Sequence, residues 1–184
     1  MLGVYAGKNG RNLIKEGDKV SETDISEMEE TAKDEDIYSC LKLENQLCFP
    51  LYACSKEVIR KYKPLLDRLD LTYTQYIAMM VLWEKKKTNV KEMGEALYLD
   101  SGTLTPLLKK LEQKGYITRH RKKTDERNLM VSVTKKGMQL REEAVSIPEQ
   151  IGSCICIDPE DAKTLYVLLH KVLGAISAQG SDDE

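Results

Sequence analysis

The stretch DSGTLTPLLKKLEQKGYITRHRKKTDERNLMVSVTKKG, residues 100–137, contains three consecutive structural patterns. Its leucines recur at three- and four-residue steps, which is the spacing of one helix face: Leu104, Leu107, Leu108 and Leu111. Gly115 then ends the helix. Two alternating segments, residues 116–119 and 129–134, flank the charged loop RKKTDER as in a β-hairpin. This order predicts a recognition helix followed by the wing of a winged helix-turn-helix.

The charge of the chain is unevenly distributed. Residues 101–141 hold eleven basic and three acidic side chains, although the whole chain has a net charge of −2. The flanking residues 1–40 and 142–184 are both acidic. A basic segment between acidic flanks indicates double-stranded DNA as a partner and confines it to one surface. The alternative is that these charges form an ordinary solvated face.

The segment upstream of residue 100 completes the DNA-binding unit. VKEMGEAL, residues 90–97, is a short amphipathic helix, and LYLDSG is the turn that leads to the recognition helix. A further helix is predicted over residues 74–85, capped by Thr72 or Thr74 and ended by the turn KKKTN. The winged helix-turn-helix therefore extends over about residues 72–137.

The predicted DNA contacts come from both parts of this unit. Small hydroxyl groups at the front of the recognition helix suit the major groove and the lysines behind them suit phosphates: Ser101, Thr103, Thr105, Lys109 and Lys110. Basic residues of the hairpin are expected at phosphates: Arg119, Arg121, Lys122 and Lys123. A solvated helix face is the alternative for the first group.

The helices at the two ends predict a homodimer. One is expected over about residues 37–66, with a kink at Pro50, and others over 138–177, the last beginning at Asp158 and Pro159. Both ends are too apolar to pack only on a small winged domain, so a second copy is expected to cover them. A two-fold dimer would read an inverted repeat with half-sites roughly 10 bp apart.

The predicted fold class is thus mainly α with a small β-wing, a winged helix-turn-helix flanked by dimerisation helices. The domain is expected over residues 37–177. Residues 1–36 are acidic with little apolar periodicity, which is typical of a disordered tail, and residues 178–184 form a second acidic tail.

Composition excludes several other classes of protein. No apolar run approaches a membrane span, and the N-terminus lacks the pattern of a signal peptide, so the cytoplasm is the expected location. Five cysteines at irregular spacing do not form a disulfide framework or a zinc motif. We therefore expect no metal and no cofactor.

The quoted stretch, extended to LYLDSGTLTPLLKKLEQKGYITRHRKKTDERNLMVSVTKKG, closely resembles the MarR family of winged-helix regulators, above all in the DER of the wing. Upstream, KLENQLCFPLYACSKEVIRKYKPLLDRLDLTYTQYIAMMVLWE resembles the OhrR branch, which senses organic hydroperoxides through one N-terminal cysteine. The resemblance extends from about Leu43 to Leu173. It implies that Cys48 is the redox sensor and that Tyr62 and Tyr73 hold its thiolate.

The resemblance has two further implications. Asp125 and Arg127 match the family's wing pair, in which the acid orients an arginine that enters the minor groove. In two-cysteine members of the branch, a thiol from the C-terminal region of the other subunit resolves the oxidised sensor, and Cys154 and Cys156 lie in the corresponding stretch. The sequence does not choose between them, and a small cellular thiol is the other candidate.

The chemistry of Cys48 has its own alternative. A thiolate that is accessible to an apolar peroxide is oxidised to a sulfenic acid, which a second thiol converts to a disulfide. Most intracellular cysteines are instead small buried hydrophobic residues. Cys40 and Cys54 are expected to take no part.

Together these patterns predict a repressor that releases DNA when organic hydroperoxide oxidises Cys48. The main alternative is a regulator released by a small phenolic ligand. A thiol peroxidase is disfavoured because no histidine or arginine accompanies Cys48 in sequence, so the chain is not expected to be an enzyme. A winged-helix module that never contacts DNA is disfavoured by the basic hairpin.

Overall fold

The computed structural model describes residues 37–122 and 125–179. The predicted disordered tail, residues 1–36, lies outside them, as do residues 180–184 of the second acidic tail. The chain divides into two compact units, Met1–Glu57 and Val58–Glu184.

The long helix predicted from Ile37 begins later, at Cys48. Two three-residue 3-10 helices, Ser39–Leu41 and Leu43–Asn45, precede helix α1, which spans Cys48–Leu66. The prediction of a continuous helix over residues 37–66 was therefore wrong for residues 39–47. Polar side chains explain the difference, because Asn45 Nδ2 donates to Ser39 O at 2.8 Å and Gln46 Nε2 donates to the Cys40 carbonyl. Such bonds compete with the helical backbone pattern.

Pro50 does not kink a helix, contrary to the prediction. It is the third residue of α1, in the first turn, where the backbone N–H groups have no intrahelical acceptor. A proline at this point loses no helical hydrogen bond. Its fixed φ is also compatible with the start of a helix, so Pro50 belongs to the beginning of α1 rather than to its interior.

Six further helices of the described chain lie in the second unit, which also contains residues 58–66 of α1. They are α2 (Tyr73–Lys85), α3 (Val90–Leu97), α4 (Ser101–Gln113), α5 (Lys135–Ala144), α6 (Ile147–Ile155) and α7 (Pro159–Gln179). Four of them begin with a residue whose side chain accepts a hydrogen bond from the backbone N–H three positions on, which satisfies a free donor of the first turn: Thr72, Asn89, Asp100 and Thr134. The local sequence therefore sets where these helices start.

The sheet has three antiparallel strands in the order β1-β3-β2: β1 is Lys87–Asn89, β2 is Ile117–Lys122 and β3 is Asp125–Val133. The strands of the wing are longer than predicted. The segment KKKTN, predicted only as a turn, contributes β1, whose Thr88 is 2% exposed and donates from Oγ1 to Glu92 Oε2 at 2.8 Å. A three-residue strand carries too little alternation to be recognised in sequence.

The core of the second unit lies beneath α4. Leu104, Leu108 and Leu111 are at most 1% exposed and pack with residues of α2, α3 and the sheet. Trp83 lies at the edge of this cluster and donates from Nε1 to Gly137 O at 2.8 Å. A Cβ on Gly137 would collide with the Tyr116 carbonyl, so only glycine allows α5 to pass this close to the wing.

Helix α7 has an apolar stripe that the chain itself leaves largely open, in contrast to α4. Five side chains of the stripe are 36–63% exposed, while Leu169 is partly buried: Leu165, Leu168, Val172, Leu173 and Ile176. The prediction that a second copy covers the terminal helices concerns this stripe, which the single chain leaves exposed. None of the helices in the described part of the chain combines the length and apolarity needed to cross a membrane.

The architecture confirms the predicted fold class, mainly α with a small β-wing. Helices α3 and α4 are the helix-turn-helix pair, and β2 with β3 forms the wing. The dimerisation role of the terminal helices remains a prediction.

Candidate nucleic-acid interface and cysteine site

The recognition helix α4 begins at a cap made by Asp100. Asp100 Oδ1 accepts from the Thr103 backbone N–H at 2.9 Å, and Oδ2 accepts from Thr103 Oγ1 at 2.8 Å. These bonds, led by the one from the Thr103 hydroxyl, hold the pKa of the Asp100 carboxyl below its ordinary value. The cap therefore fixes both the first turn and the Thr103 side chain.

The predicted groove-facing residues all lie on the exposed side of α4. They are Ser101, Thr103, Thr105, Lys109 and Lys110. The Thr105 hydroxyl donates to Ser101 O at 2.7 Å, so its oxygen is oriented by the helix itself. The buried leucines face the opposite way, which leaves this polar side of α4 available to a partner.

The wing residues fall into two groups. Arg121 is exposed on β2, as a phosphate contact requires. Lys123 lies outside the described residues, and for Lys122, Asp125 and Arg127 the structure gives the strand but not the side chain. Their roles remain predictions that the structure does not test.

Arg119 has a different environment from Arg121. Its Nε and Nη2 atoms donate to Glu112 Oε2 at 2.9 and 2.7 Å, and its backbone N–H donates to Glu112 Oε1 at 2.9 Å. The Arg119 side chain is 20% exposed and that of Glu112 is 36% exposed. The Arg119 side-chain hydrogen bond holds the pKa of the Glu112 carboxyl below its ordinary value. Sequence reasoning missed Glu112, because no pattern along the chain shows that the end of α4 lies beside Arg119.

Cys48 is the first residue of α1, in the first unit, and its side chain is exposed. The alternative prediction of a buried packing residue does not hold within the single chain. Two large apolar neighbours in sequence, Leu47 and Phe49, are 69% and 39% exposed. The thiol thus lies at an accessible helix start with apolar side chains beside it in sequence.

Tyr62 and Tyr73, the two predicted supporting residues, are neighbours in the second unit. Their ring centroids are 5.0 Å apart in an edge-to-face arrangement, and Tyr76 lies 5.9 Å from Tyr62. Burial, with a smaller contribution from Tyr73, raises the pKa of Tyr62 above its ordinary value. The Tyr62 phenol therefore keeps its proton at neutral pH and can act as a hydrogen-bond donor.

The two candidate resolving cysteines lie at the end of α6. Cys154 is in the last turn, and Cys156 caps the helix in the left-handed region with φ of 45°. The Cys156 thiol donates to Ser153 O at 3.4 Å. Both are exposed and unbridged, as are Cys40 and Cys54, so exposure alone does not identify the resolver.

Comparison with known proteins identifies the relatives of this chain. The family model for the transcriptional regulator SarA/Rot matches residues 60–144. The organic hydroperoxide resistance transcriptional regulator of Bacillus subtilis is 52% identical over 139 residues, which cover 76% of this chain and 95% of that protein. The chain belongs to the MarR family, in its OhrR-like branch. The resemblance inferred from sequence is confirmed.

Solved structures agree with this assignment to the MarR family. Reduced AbfR bound to DNA, from a protein of Staphylococcus epidermidis, is 34% identical with a TM-score of 0.62, over 75% of this chain and 98% of that one. The disulfide form of AbfR is 33% identical with a TM-score of 0.53, over 80% of this chain and 98% of that one. AbfR, a relative of this MarR-family chain, has thus been observed bound to DNA and in a disulfide form.

Proposed function

We propose that this protein is a dimeric transcriptional repressor that binds an inverted-repeat operator while Cys48 is reduced and releases it when organic hydroperoxide oxidises Cys48. The observation that carries the proposal is the 52% identity to the organic hydroperoxide resistance regulator of B. subtilis. The capped recognition helix and the exposed thiol of Cys48 support it. A DNA-binding regulator works where the chromosome is, so a cytoplasmic location is part of the proposal.

The proposed chemistry consumes one peroxide per sensor. The Cys48 thiolate attacks the peroxide, its sulfur takes one oxygen to become a sulfenic acid, and the remainder leaves as an alcohol after taking up a proton. A second thiol then condenses with the sulfenic acid, forming a disulfide and releasing water. Within the dimer, Tyr62 and Tyr73 donate hydrogen bonds to the sulfur, and Cys154 or Cys156 of the other subunit is the second thiol. The protein acts once as a sensor and does not turn over substrate.

The proposed link from chemistry to DNA is a change in packing. A disulfide requires its two Cα atoms to lie within about 7 Å of each other. If the two thiols start further apart in the dimer, joining them moves helices and changes the separation of the two recognition helices. An inverted repeat with half-sites roughly one helical turn apart then no longer fits both of them.

The test begins with the reduced protein and a library of random duplexes, from which bound DNA is selected and sequenced. Binding to the selected duplex is then measured by fluorescence anisotropy before and after one equivalent of cumene hydroperoxide per Cys48. We expect release by the unsubstituted protein and by Cys54→Ser, and retention by Cys48→Ser. Cys54 is a matched control because it is an exposed cysteine of the same helix.

Mass spectrometry of the same oxidised sample identifies the partner thiol. We expect a peptide that joins Cys48 to Cys154 or Cys156. In a parallel sample that also contains a small thiol, an adduct of that thiol on Cys48 would support the one-cysteine route instead. DNA that stays bound after Cys48 is fully oxidised would contradict the proposal. Release of Cys48→Ser by a phenol such as salicylate, in excess reductant, would favour the alternative of a ligand-controlled regulator.

A further inference from the structure

We infer that Glu112 and Arg119 form a brace that fixes the wing relative to the recognition helix, so that Arg119 is a positioning residue and not a phosphate ligand. The inference rests on the proposed function, because it concerns how this surface binds DNA. It replaces the role expected for Arg119 from sequence. It also assigns a role in DNA binding to an acidic residue, which charge alone would place away from DNA.

The brace consists of three hydrogen bonds between Glu112 and Arg119. Both carboxylate oxygens of Glu112, in the last turns of α4, are used by one residue of β2, one oxygen by its backbone N–H and the other by its guanidinium. Charge-assisted bonds of this kind are short and directional, which makes them stronger than neutral hydrogen bonds. The partly buried position of the Arg119 side chain reduces screening by water and salt.

The brace also satisfies an open strand edge. In the sheet order β1-β3-β2, strand β2 is paired on one side only among the described strands, and Arg119 lies opposite Val131 of β3. Because the Arg119 N–H donates to Glu112, it points away from β3. Glu112 therefore provides the acceptor that a neighbouring strand would otherwise supply, and it attaches the free edge of the wing to α4.

The brace lies far enough from the end of the wing to control where that end meets DNA. Strand β2 continues for three residues beyond Arg119. At about 3.3 Å per residue, the end of the strand lies about 10 Å from the brace. A rotation of about 10° at Arg119 would move that end by about 2 Å, more than a hydrogen bond to DNA tolerates. Simultaneous contact by the helix and the wing therefore depends on this angle.

Arg121 provides a matched control. It lies two residues further along β2, on the same face of the strand, and its side chain is exposed. If Arg121 contacts phosphate, Arg121→Lys keeps the positive charge and most of the affinity. Lysine cannot reproduce the two-pronged contact of Arg119 with Glu112, so Arg119→Lys breaks the brace while keeping the charge.

The experiment measures affinity for the selected duplex from about 50 to about 300 mM salt. We expect Glu112→Gln and Arg119→Lys to weaken binding by about tenfold or more with the salt slope nearly unchanged, since the protein still neutralises the same phosphates. Arg121→Gln should reduce the slope by about 0.9 for each phosphate that the side chain at position 121 no longer neutralises. Glu95→Gln, a change at an exposed glutamate of α3, should bind as well as the unsubstituted protein or better.

Whether Glu112→Gln binds DNA more weakly or more tightly than the unsubstituted protein tests the brace. Removing a negative charge beside DNA strengthens binding on electrostatic grounds alone, whereas loss of a brace weakens it. Tighter or equal binding by Glu112→Gln, or a reduced salt slope for Arg119→Gln, would overturn the inference. Circular dichroism and thermal unfolding of each variant establish that it is folded.

Hydrogen exchange on the free protein separates this inference from the proposed function. Loss of the brace should speed exchange of the Arg119 amide and of the rest of β2 in Glu112→Gln, relative to Glu95→Gln. Unchanged exchange would overturn the brace even if the protein binds DNA. Failure of the unsubstituted protein to select any duplex would contradict the proposed function. The hydrogen-exchange result would still show whether the brace holds the wing.

Discussion

Helices α4 and α7 have the same kind of apolar periodicity but opposite surroundings. The four leucines of α4 are at most 7% exposed, whereas Leu168 and Leu173 of α7 are 52% and 36% exposed. In α4 the stripe lies on the chain's own core, and in α7 no part of the described chain covers it to the same degree. Amphipathic spacing therefore predicts a helix with a buried face but not which molecule buries that face.

The largest expected effect is a change in the covered stripe. Leu108→Ala removes a side chain that is fully buried in the core and leaves a cavity. We expect a loss of about 2–5 kcal/mol in the free energy of unfolding, measured by denaturant titration. A loss below about 1 kcal/mol would mean that the core beneath α4 collapses freely around the gap.

The next effect concerns the open stripe and the proposed dimer. Leu168→Gln should weaken association of the two copies by about tenfold or more, because a polar amide replaces an apolar side chain in the contact. The dissociation constant is measured by sedimentation velocity over a dilution series. Lys163→Gln, on the opposite face of α7, is the matched control and should leave association unchanged. Equal dissociation constants for the two variants would place the dimer contact elsewhere.

A smaller effect is expected at the start of α4. Asp100→Ala removes the cap and should lower Tm by about 2–4 °C at neutral pH. The pKa of Asp100 is lower in the folded chain than its ordinary value of 3.8, so its contribution is present above that pH and is lost as the pH falls through the folded value. The difference in Tm between Asp100→Ala and the unsubstituted protein should therefore shrink on acidification towards about pH 3. A difference that stays constant over this range would show that the carboxylate charge is not what stabilises the turn.

The smallest effect is a gain in stability within α7. A Cβ at Gly174 would meet no atom within 4 Å, so Gly174→Ala should stabilise the helix by about 0.5–1 kcal/mol. The measurement is the free energy of unfolding at fixed protein concentration. Lower stability together with weaker association would show that the second copy also approaches the helix at Gly174, which would sharpen the location of the interface.

Much of the DNA-binding half could be predicted from sequence. Helices α2, α3 and α4, the cap at Thr72, the leucine stripe and the wing follow from spacing, cap residues and a hairpin pattern, all of which act over a few residues. Strand β1 could not be predicted, because three residues gain strand structure only by pairing with β3. The start of α1 was also missed, because the bonds of Asn45 and Gln46 decide it.

For the cysteine site, the sequence predicts which residues take part, and those roles remain predictions. Cys48, Tyr62 and Tyr73 stand out through the family resemblance, and the neighbouring rings of the two tyrosines agree with it. Nothing in their spacing along the chain fixes the distance between those rings. The choice between Cys154 and Cys156 likewise remains a prediction for the mass spectrometry experiment.

The sequence by itself determined helices α2, α3 and α4, the basic block and the membership of a family, because each depends on neighbouring residues or on similarity along the chain. Only the tertiary structure decided that Arg119 is held by Glu112 while Arg121 remains exposed. Both arginines lie on one strand and carry the same charge, so no local rule distinguishes them. The difference arises because folding brings the end of α4 beside one of them, and a contact across a turn depends on the packed geometry and not on composition.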